Sequence, residues 1–448
     1  MTFDEYFSSI KDKKIAVVGL GVSNRPLLDI LLSFGCDVTV CDKKGDDISK
    51  YQQKGVKFSL GEAYLDNLDF DIIFRTPGIL PFAFEENLKD GCVITSEMEV
   101  FFALCPCKTI AVTGSDGKTT TASLISEILK SAGYTVHLGG NIGVPLLSEV
   151  QAMAASDIAV LELSSFQLHS MKCCPDVAVV TNISPNHLDV HPDFNDYVGA
   201  KRNVFLGQTE IGRLVLNAGQ EMSALFANEA RAQKTFFSMR ERSGVEFFFC
   251  DGAIWGNGQK IIHEAEILLP GRHNIENLLA AFAAVQGFAD FETCAKVARS
   301  FGGVSHRIEF VRKCGGVSFY NDSIASSPTR AIAALKTFPQ KVILIAGGHD
   351  KNVPYDDFAA EIIKGVRALF LTGEAAEKIS AAVVAREDFS ATELPVFRFE
   401  GFTECVKAAA EFSEDGDIVI LSPACSSFDF FKNFEQRGNL FKEIVRKL

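Results

Sequence analysis

Lysine, threonine and glycine crowd into Thr113-Gly-Ser-Asp-Gly-Lys-Thr-Thr120, and together they can hold a polyphosphate. An apolar β-branched run, Ile110 to Val112, breaks at Gly114 and Gly117. It then passes through Lys118 and Thr119 into helix-like sequence from Ala122 to Leu129. A strand feeding a glycine turn feeding a helix aims bare backbone N–H groups and a helix N-terminus at one spot, which favours phosphate. Ser115, Asp116 and Thr120 complete the loop; Lys118 can reach terminal phosphate oxygens and the Thr119 hydroxyl can hold Mg²⁺. The spacing departs from G-x-x-x-x-G-K-[ST], because Val112 takes the first glycine's place. The chemistry to expect is the handling of a nucleoside triphosphate.

A carboxylate that could share a cation follows downstream. Glu162 ends the apolar strand Ile158 to Leu163, where an acid is costly unless it is paired or bound to a cation. Thr119 and Glu162 therefore make a candidate Mg²⁺ pair, with a solvated strand-end acid as the alternative. In Thr181-Asn-Ile-Ser-Pro-Asn-His-Leu-Asp-Val-His191, two histidines stand four apart, but Pro185 argues against the helix a zinc site would need. His187 is a candidate ligand or phosphate contact, and His191 reads as a loop histidine without a special role. Lys201 and Arg202 read by themselves as an exposed helix face. Asn274 and Asn277 open the helix-like stretch from Leu278 to Ala289, where they can contact a base or ribose or merely cap the helix.

These groups need a scaffold, and the chain reads as three α/β units. The first opens with Lys14-Ile-Ala-Val-Val-Gly-Leu-Gly-Val-Ser-Asn24, then a helix over Arg25 to Ser33, then a strand ending at Asp42. This is a mononucleotide-binding βαβ pattern, but Asn24 replaces the third glycine of G-x-G-x-x-G, which lowers the case for NAD. Asp42 can hold a ribose or a base edge. The strand from Asp71 runs into Thr76-Pro-Gly78, a turn expected at the same sheet edge as the Gly19–Gly21 turn. Units two and three alternate strands and helices likewise, and three parallel sheets are expected, with ligands at their strand ends.

The net charge of −13 argues against nucleic acid or an anionic membrane as partner. No signal peptide and no run of 18 apolar residues is present, so a soluble, cytoplasmic protein without membrane insertion is expected. The twelve cysteines include no C-x-x-C and lie mostly in apolar stretches, as reduced core thiols do.

Together these stretches resemble the ATP-dependent Mur ligases of peptidoglycan precursor synthesis, from the Gly19 turn to Phe431-Lys-Asn-Phe-Glu-Gln-Arg-Gly438. Asn141-Ile-Gly143, Glu162-Leu-Ser-Ser-Phe-Gln-Leu168 and Ser422-Pro-Ala-Cys-Ser-Ser-Phe428 most resemble the members that add D-glutamate. The resemblance implies an α/β fold of three domains: a Rossmann-like UDP-binding domain over 1–95, a central P-loop ATPase-type domain over 96–302, and a Rossmann-like domain over 303–448. It implies that Gly21, Ser23, Asn24, Asp42, Thr76, Pro77, Gly78 and Asn141 bind the UDP-substrate. Gly114 to Thr120, with Asn274, Asn277, Arg307 and Asp322, would bind ATP. Thr119 and Glu162 would hold one Mg²⁺ and His187 a second, with Lys201 carbamylated beside it; Lys118, His187 and Lys201 would be the catalytic groups.

Ser326, Lys351, Ser422 and Phe428 would bind D-glutamate. The implied substrates are ATP, UDP-N-acetylmuramoyl-L-alanine and D-glutamate, joined by a monomer through an acyl phosphate. One stretch departs from the family: Asn321-Asp-Ser-Ile-Ala-Ser326 has Ile324 and Ser326 where many members read lysine and threonine. Two other readings stay open at this point, a related ligase for another amino acid (folylpolyglutamate-type included) and a non-catalytic or NAD-dependent nucleotide-binding protein.

Overall fold

Short β-branched runs closed by glycine or asparagine turns form the strands, as such runs favour a pleated, buried surface. The computed structural model describes residues 1–45, 48–143, 145–171, 173–269, 271–351 and 353–448, and these carry three sheets. The first consists of β1 (Ile15–Val18), β2 (Val38–Asp42), β3 (Lys57–Leu60), β4 (Ile72–Arg75) and β5 (Val93–Thr95) in the order β3-β2-β1-β4-β5. All its pairings are parallel. The strand order reverses at β1, so the turns after β1 and β4 open a crevice between them.

The central sheet holds β6 (Lys108–Thr113), β7 (Val136–Gly140), β8 (Ile158–Glu162), β9 (Val177–Val180), β10 (Arg213–Asn217), β11 (Gln233–Ser238), β12 (Phe247–Cys250), β13 (Ala253–Gly256) and β14 (Gln259–His263). Their order is β14-β13-β12-β11-β10-β9-β6-β8-β7. In the third sheet β15 (Glu309–Cys314), β16 (Val317–Asn321), β17 (Val342–Gly347), β18 (Val366–Thr372), β19 (Val396–Phe399) and β20 (Ile418–Leu421) stand as β15-β16-β20-β17-β18-β19.

The expectation of purely parallel sheets needs correcting twice. β12, β13 and β14 form an antiparallel meander, with a register irregularity between Ile254 and Trp255. β15 pairs antiparallel with β16. The cause is turn chemistry. Asp251-Gly252 and Asn257-Gly258 have both residues at positive φ, as does Gly315-Gly316, and two-residue turns of that kind join antiparallel neighbours.

Buried parallel strands read as continuous apolar runs because helices cover both faces. Accordingly β8 and β17 are buried along their whole length. The helix expected over Leu278 to Ala289 instead spans Arg272–Ala284, bringing Asn274 and Asn277 into its first turns. The short helix around Lys201 extends over Phe194–Leu206, capped by the Asp193 carboxylate. The chain divides into two compact units, Met1–Ser300 and Phe301–Leu448. Within the first, one apolar core runs without a break through both sheets, joining Val17, Leu27 and Val40 to Phe101, Leu147 and Leu161. No helix among the described residues is long and apolar enough to cross a membrane.

Candidate active site

At the end of β6 the chain enters Gly114 with φ near +148°, and a Cβ there would overlap Thr181 Oγ1 at the end of β9. Gly117, left-handed at the N-cap of helix Lys118–Ser131, lies so close to Asn277 Oδ1 that a Cβ would overlap it. Two glycines thus let the loop pass against its neighbours and leave the helix N-terminus without a side-chain cap. Asp116 N donates to Asn182 Oδ1 (2.9 Å), and the Thr181 hydroxyl returns a bond to Asp116 O (2.7 Å), fixing the loop from β9. Ser115 faces inward: its hydroxyl donates to Ser184 O (2.9 Å) and lies 2.9 Å from Tyr197 Oη. It shapes the loop rather than facing outward. Lys118 Nζ donates to Gly114 O (3.0 Å) and Ser115 O (2.9 Å), curled over the loop it serves. Thr120 is half-buried in the same first turn.

The Thr119 hydroxyl donates to Glu162 Oε2 (2.7 Å), and Asn141 Nδ2 donates to Glu162 Oε1 (2.9 Å). Glu162 is buried and held by neutral hydrogen-bond donors, with the Lys201 amine near enough to feel its charge. A buried carboxylate beside an uncapped helix N-terminus fits a Mg²⁺-bound triphosphate. Asn141 thus meets the Thr119–Glu162 pair through the Glu162 carboxylate. Asn274 and Asn277 are buried on the facing helix, where Asn277 Nδ2 donates to Asn274 Oδ1 (3.2 Å) and the Thr121 hydroxyl to Asn277 Oδ1 (3.4 Å).

Lys201 overturns the reading of its sequence neighbourhood as an exposed face. It is 1% exposed, with Nζ donating to Gly114 O at 2.6 Å and standing 4.7 Å from the Tyr197 ring centre. Burial, with Lys118 nearby, holds this amine well below the usual lysine range. His187 sits in a left-handed backbone conformation (φ 54°) on an exposed loop, and partial desolvation lowers its imidazole's pKa. His191 lies in a loop, as expected, but it is 1% exposed and packed between Phe166 and Tyr197.

In the first sheet, Thr76 packs on the turn of Gly19 and Gly21, so the two loops expected at one sheet edge do meet. Pro77 and Gly78 continue that loop, and Ser23 is half-buried at the opposing helix start. Asp42 spends its carboxylate on loop amides, accepting from Leu20 N (2.7 Å) and Lys44 N (2.8 Å). Asn24 is fully buried and donates to Gly19 O (2.8 Å), bracing the turn from inside instead of facing a ligand. Arg75, missed in the sequence, is buried at the end of β4 and donates to Phe166 O (2.9 Å) and Ser170 Oγ (2.8 Å). A cation ending an apolar strand is the same signal that exposes Glu162.

The second unit gathers its polar groups at the ends of β16, β17 and β20. Asp322 is buried, accepting from Ser422 Oγ (2.7 Å) and Ile308 N (3.2 Å), and burial pushes its carboxyl up to about 7. Arg307 is exposed just before Ile308. Ser422 is wholly buried and braces Asp322, so its hydroxyl does not face outward as a D-glutamate contact would. Lys351 Nζ donates to Ser326 O (3.1 Å), which brings those two together, whereas the Phe428 ring is largely exposed. Arg437, another residue the sequence reading left without a role, is buried and donates to Ser323 O (2.9 Å) and Cys425 O (3.0 Å), tying the two loops.

Residues 112–285 match the Mur ligase middle domain, and residues 306–425 the Mur ligase, glutamate ligase domain. The chain belongs to the Mur ligase family. Among its relatives, the UDP-N-acetylmuramoylalanine–D-glutamate ligase of Acetivibrio thermocellus is 48% identical over 99% of this chain and 98% of its own. The enzyme of the same name from Ruminiclostridium cellulolyticum is 47% identical over 99% of each chain. Similarity of fold extends to MurF from Acinetobacter baumannii, 15% identical over 99% of this chain and 93% of that one, with a TM-score of 0.56.

Proposed function

We infer that this chain is an ATP-dependent ligase that adds D-glutamate to UDP-N-acetylmuramoyl-L-alanine, a step in peptidoglycan precursor synthesis. The observation that carries the reading is the convergence of Lys118, Thr119, Glu162 and Lys201 on one phosphate loop, in a chain whose full-length relatives bear that enzyme's name. The L-alanyl carboxylate attacks the γ-phosphorus of ATP, the bond to the β,γ-bridging oxygen breaks, and ADP leaves an acyl phosphate. The D-glutamate amine then adds to the acyl carbon. Collapse of the tetrahedral intermediate expels phosphate, and the nitrogen loses a proton to give the amide.

Both reactants of the first step are anions, so charge must be offset at the phosphates. Lys118 exchanges its bonds to Gly114 O and Ser115 O for phosphate oxygens, and the amides at the start of its helix add their dipoles. Two Mg²⁺ ions supply further positive charge: Thr119 and Glu162 would hold one, His187 and a carbamylated Lys201 the other. The buried Lys201 favours its neutral amine, the form that adds CO₂ and loses a proton to become an anionic carbamate. Asn274, Asn277, Arg307 and Asp322 are assigned to ATP. The β1 and β4 turns are assigned to the uridine diphosphate, through Gly21, Ser23 and Thr76 to Gly78. Lys351, Ser326 and Phe428 are assigned to D-glutamate, while Ser422 braces the ATP-assigned Asp322.

The segments 1–95, 96–302 and 303–448 divide these tasks, and the chain works as a cytoplasmic monomer. Phosphate release from ATP in the presence of UDP-N-acetylmuramoyl-L-alanine is the test. It should depend on D-glutamate; faster release with another amino acid points to a related ligase, and no release with any amino acid to a non-catalytic protein.

A further inference from the structure

His191 lies in a hydrogen-bonded cluster that the assigned chemistry does not use. Its Nδ1 is 2.6 Å from Asp196 Oδ2, its Nε2 is 2.9 Å from Ser165 Oγ, and His169 Nε2 lies 3.0 Å from Asp196 Oδ1. A carboxylate only accepts, so both facing ring nitrogens donate to Asp196, and Ser165 Oγ pairs with the other nitrogen of the His191 ring. The order serine, histidine, aspartate is that of a hydrolase triad, but Ser165 is 2% exposed at the start of its helix and cannot meet a carbonyl carbon. What the cluster can do is hold. It ties three segments: the turn after β8, the loop after β9, and the first turn of helix Phe194–Leu206.

Two links run from His191 to His187. The backbone N–H of His191 donates to His187 O at 2.9 Å. The His191 ring stacks on Phe166, with centroids 5.4 Å apart and planes 7° apart, and Phe166 in turn meets the His187 ring at 5.0 Å. His187 needs such support, because a non-glycine residue in the left-handed region persists only where its surroundings over-determine it.

We propose that His191, clamped by Asp196 and Ser165, is a positioning residue that sets both the backbone and the ring of His187, and thereby the affinity of the second divalent cation. The proposal rests on the assignment of His187 to that cation. Mn²⁺ binding to the full chain with a non-hydrolysable ATP analogue, followed by electron paramagnetic resonance, separates the two. The wild type should hold two Mn²⁺ and His187→Ala one; two in His187→Ala would remove the assignment and the proposal with it. His191→Phe keeps the stack but loses both side-chain hydrogen bonds. It should loosen only the weaker Mn²⁺, about tenfold or more, with the tighter ion and the melting temperature nearly unchanged. His191→Asn, which can still donate to Asp196, should recover part of that loss. If His191→Phe does not fold, Asp196→Asn must show the same selective loosening. An unchanged second Mn²⁺ in these variants, with His187→Ala losing it, overturns the positioning role. So does a Zn²⁺ ion that the wild type binds without nucleotide and His191→Phe does not, since the cluster would then be a transition-metal site.

Discussion

Lys118 donates two hydrogen bonds to its own loop, which under the proposed function it exchanges for phosphate oxygens, leaving helix amides and Mg²⁺ to offset the charge when it is lost. Lys118→Ala should therefore abolish turnover while leaving UDP-substrate binding within about twofold. One charge-assisted contact is worth about 1.5–3 kcal/mol in binding and more where charge develops in the transition state. Isothermal titration beside steady-state kinetics checks this, and near wild-type turnover would remove the phosphate-loop assignment. Lys351 stands against Ser326, in the stretch that also holds the uncharged Ile324. Lys351→Ala should raise the KM for D-glutamate roughly 10- to 150-fold and that for ATP far less. An equal rise in both would move Lys351 to the phosphates. The Lys118, Thr119 and Glu162 grouping was legible because strand ends and a glycine turn fix where those side chains meet. Lys201 and His191 were not, because burial comes from packing partners distant in sequence.

At the scale of elements, helix Glu97–Leu104 follows the last strand of the first sheet and carries a buried acid in its first turn. Glu97 accepts from Leu147 N (2.9 Å), yet burial raises its carboxyl from 4.5 to about 7. The raised value means that the folded state keeps a proton the unfolded chain has lost. Its contribution is full below about pH 4.5 and disappears as pH rises through about 7, a change on the order of 3 kcal/mol. Glu97→Gln, which keeps an acceptor for Leu147, should lose less melting temperature between pH 5 and 7.5 than the wild type does; superimposable profiles would contradict this. Elements were otherwise readable where punctuation was strong. The strand–turn–helix units of β1 and β6 follow their glycines. The meander of β12 to β14 was written in Asp251-Gly252 and Asn257-Gly258, but a reading tuned to βαβ units passes over hairpin turns.

For the whole molecule, the apolar core that joins the first two sheets predicts cooperative melting of residues 1–300. Calorimetry of the full chain should resolve no more than two transitions. Phe101→Ala, at the seam of that core, should destabilise only the transition of this unit, by about 3–5 kcal/mol. Three transitions, with the first sheet melting by itself, would refute it. Such continuity is hard to read from sequence, because alternating strands and helices look alike whether or not neighbouring sheets share a core.

The central sheet also has two ends, where amide and carbonyl groups of an outermost strand can recruit a strand from another chain. At one end, β14 is only five residues long, exposes Gln259 and Lys260, and pairs with its neighbour through the irregularity at Trp255. At the other, the turn Leu146–Ala152 packs beside β7. A second copy arriving edge-on at β14 meets an ammonium group and a short, irregular backbone. That end of the sheet carrying the phosphate loop is thereby guarded against open-ended growth into aggregates, even at the concentrations a crowded cell imposes.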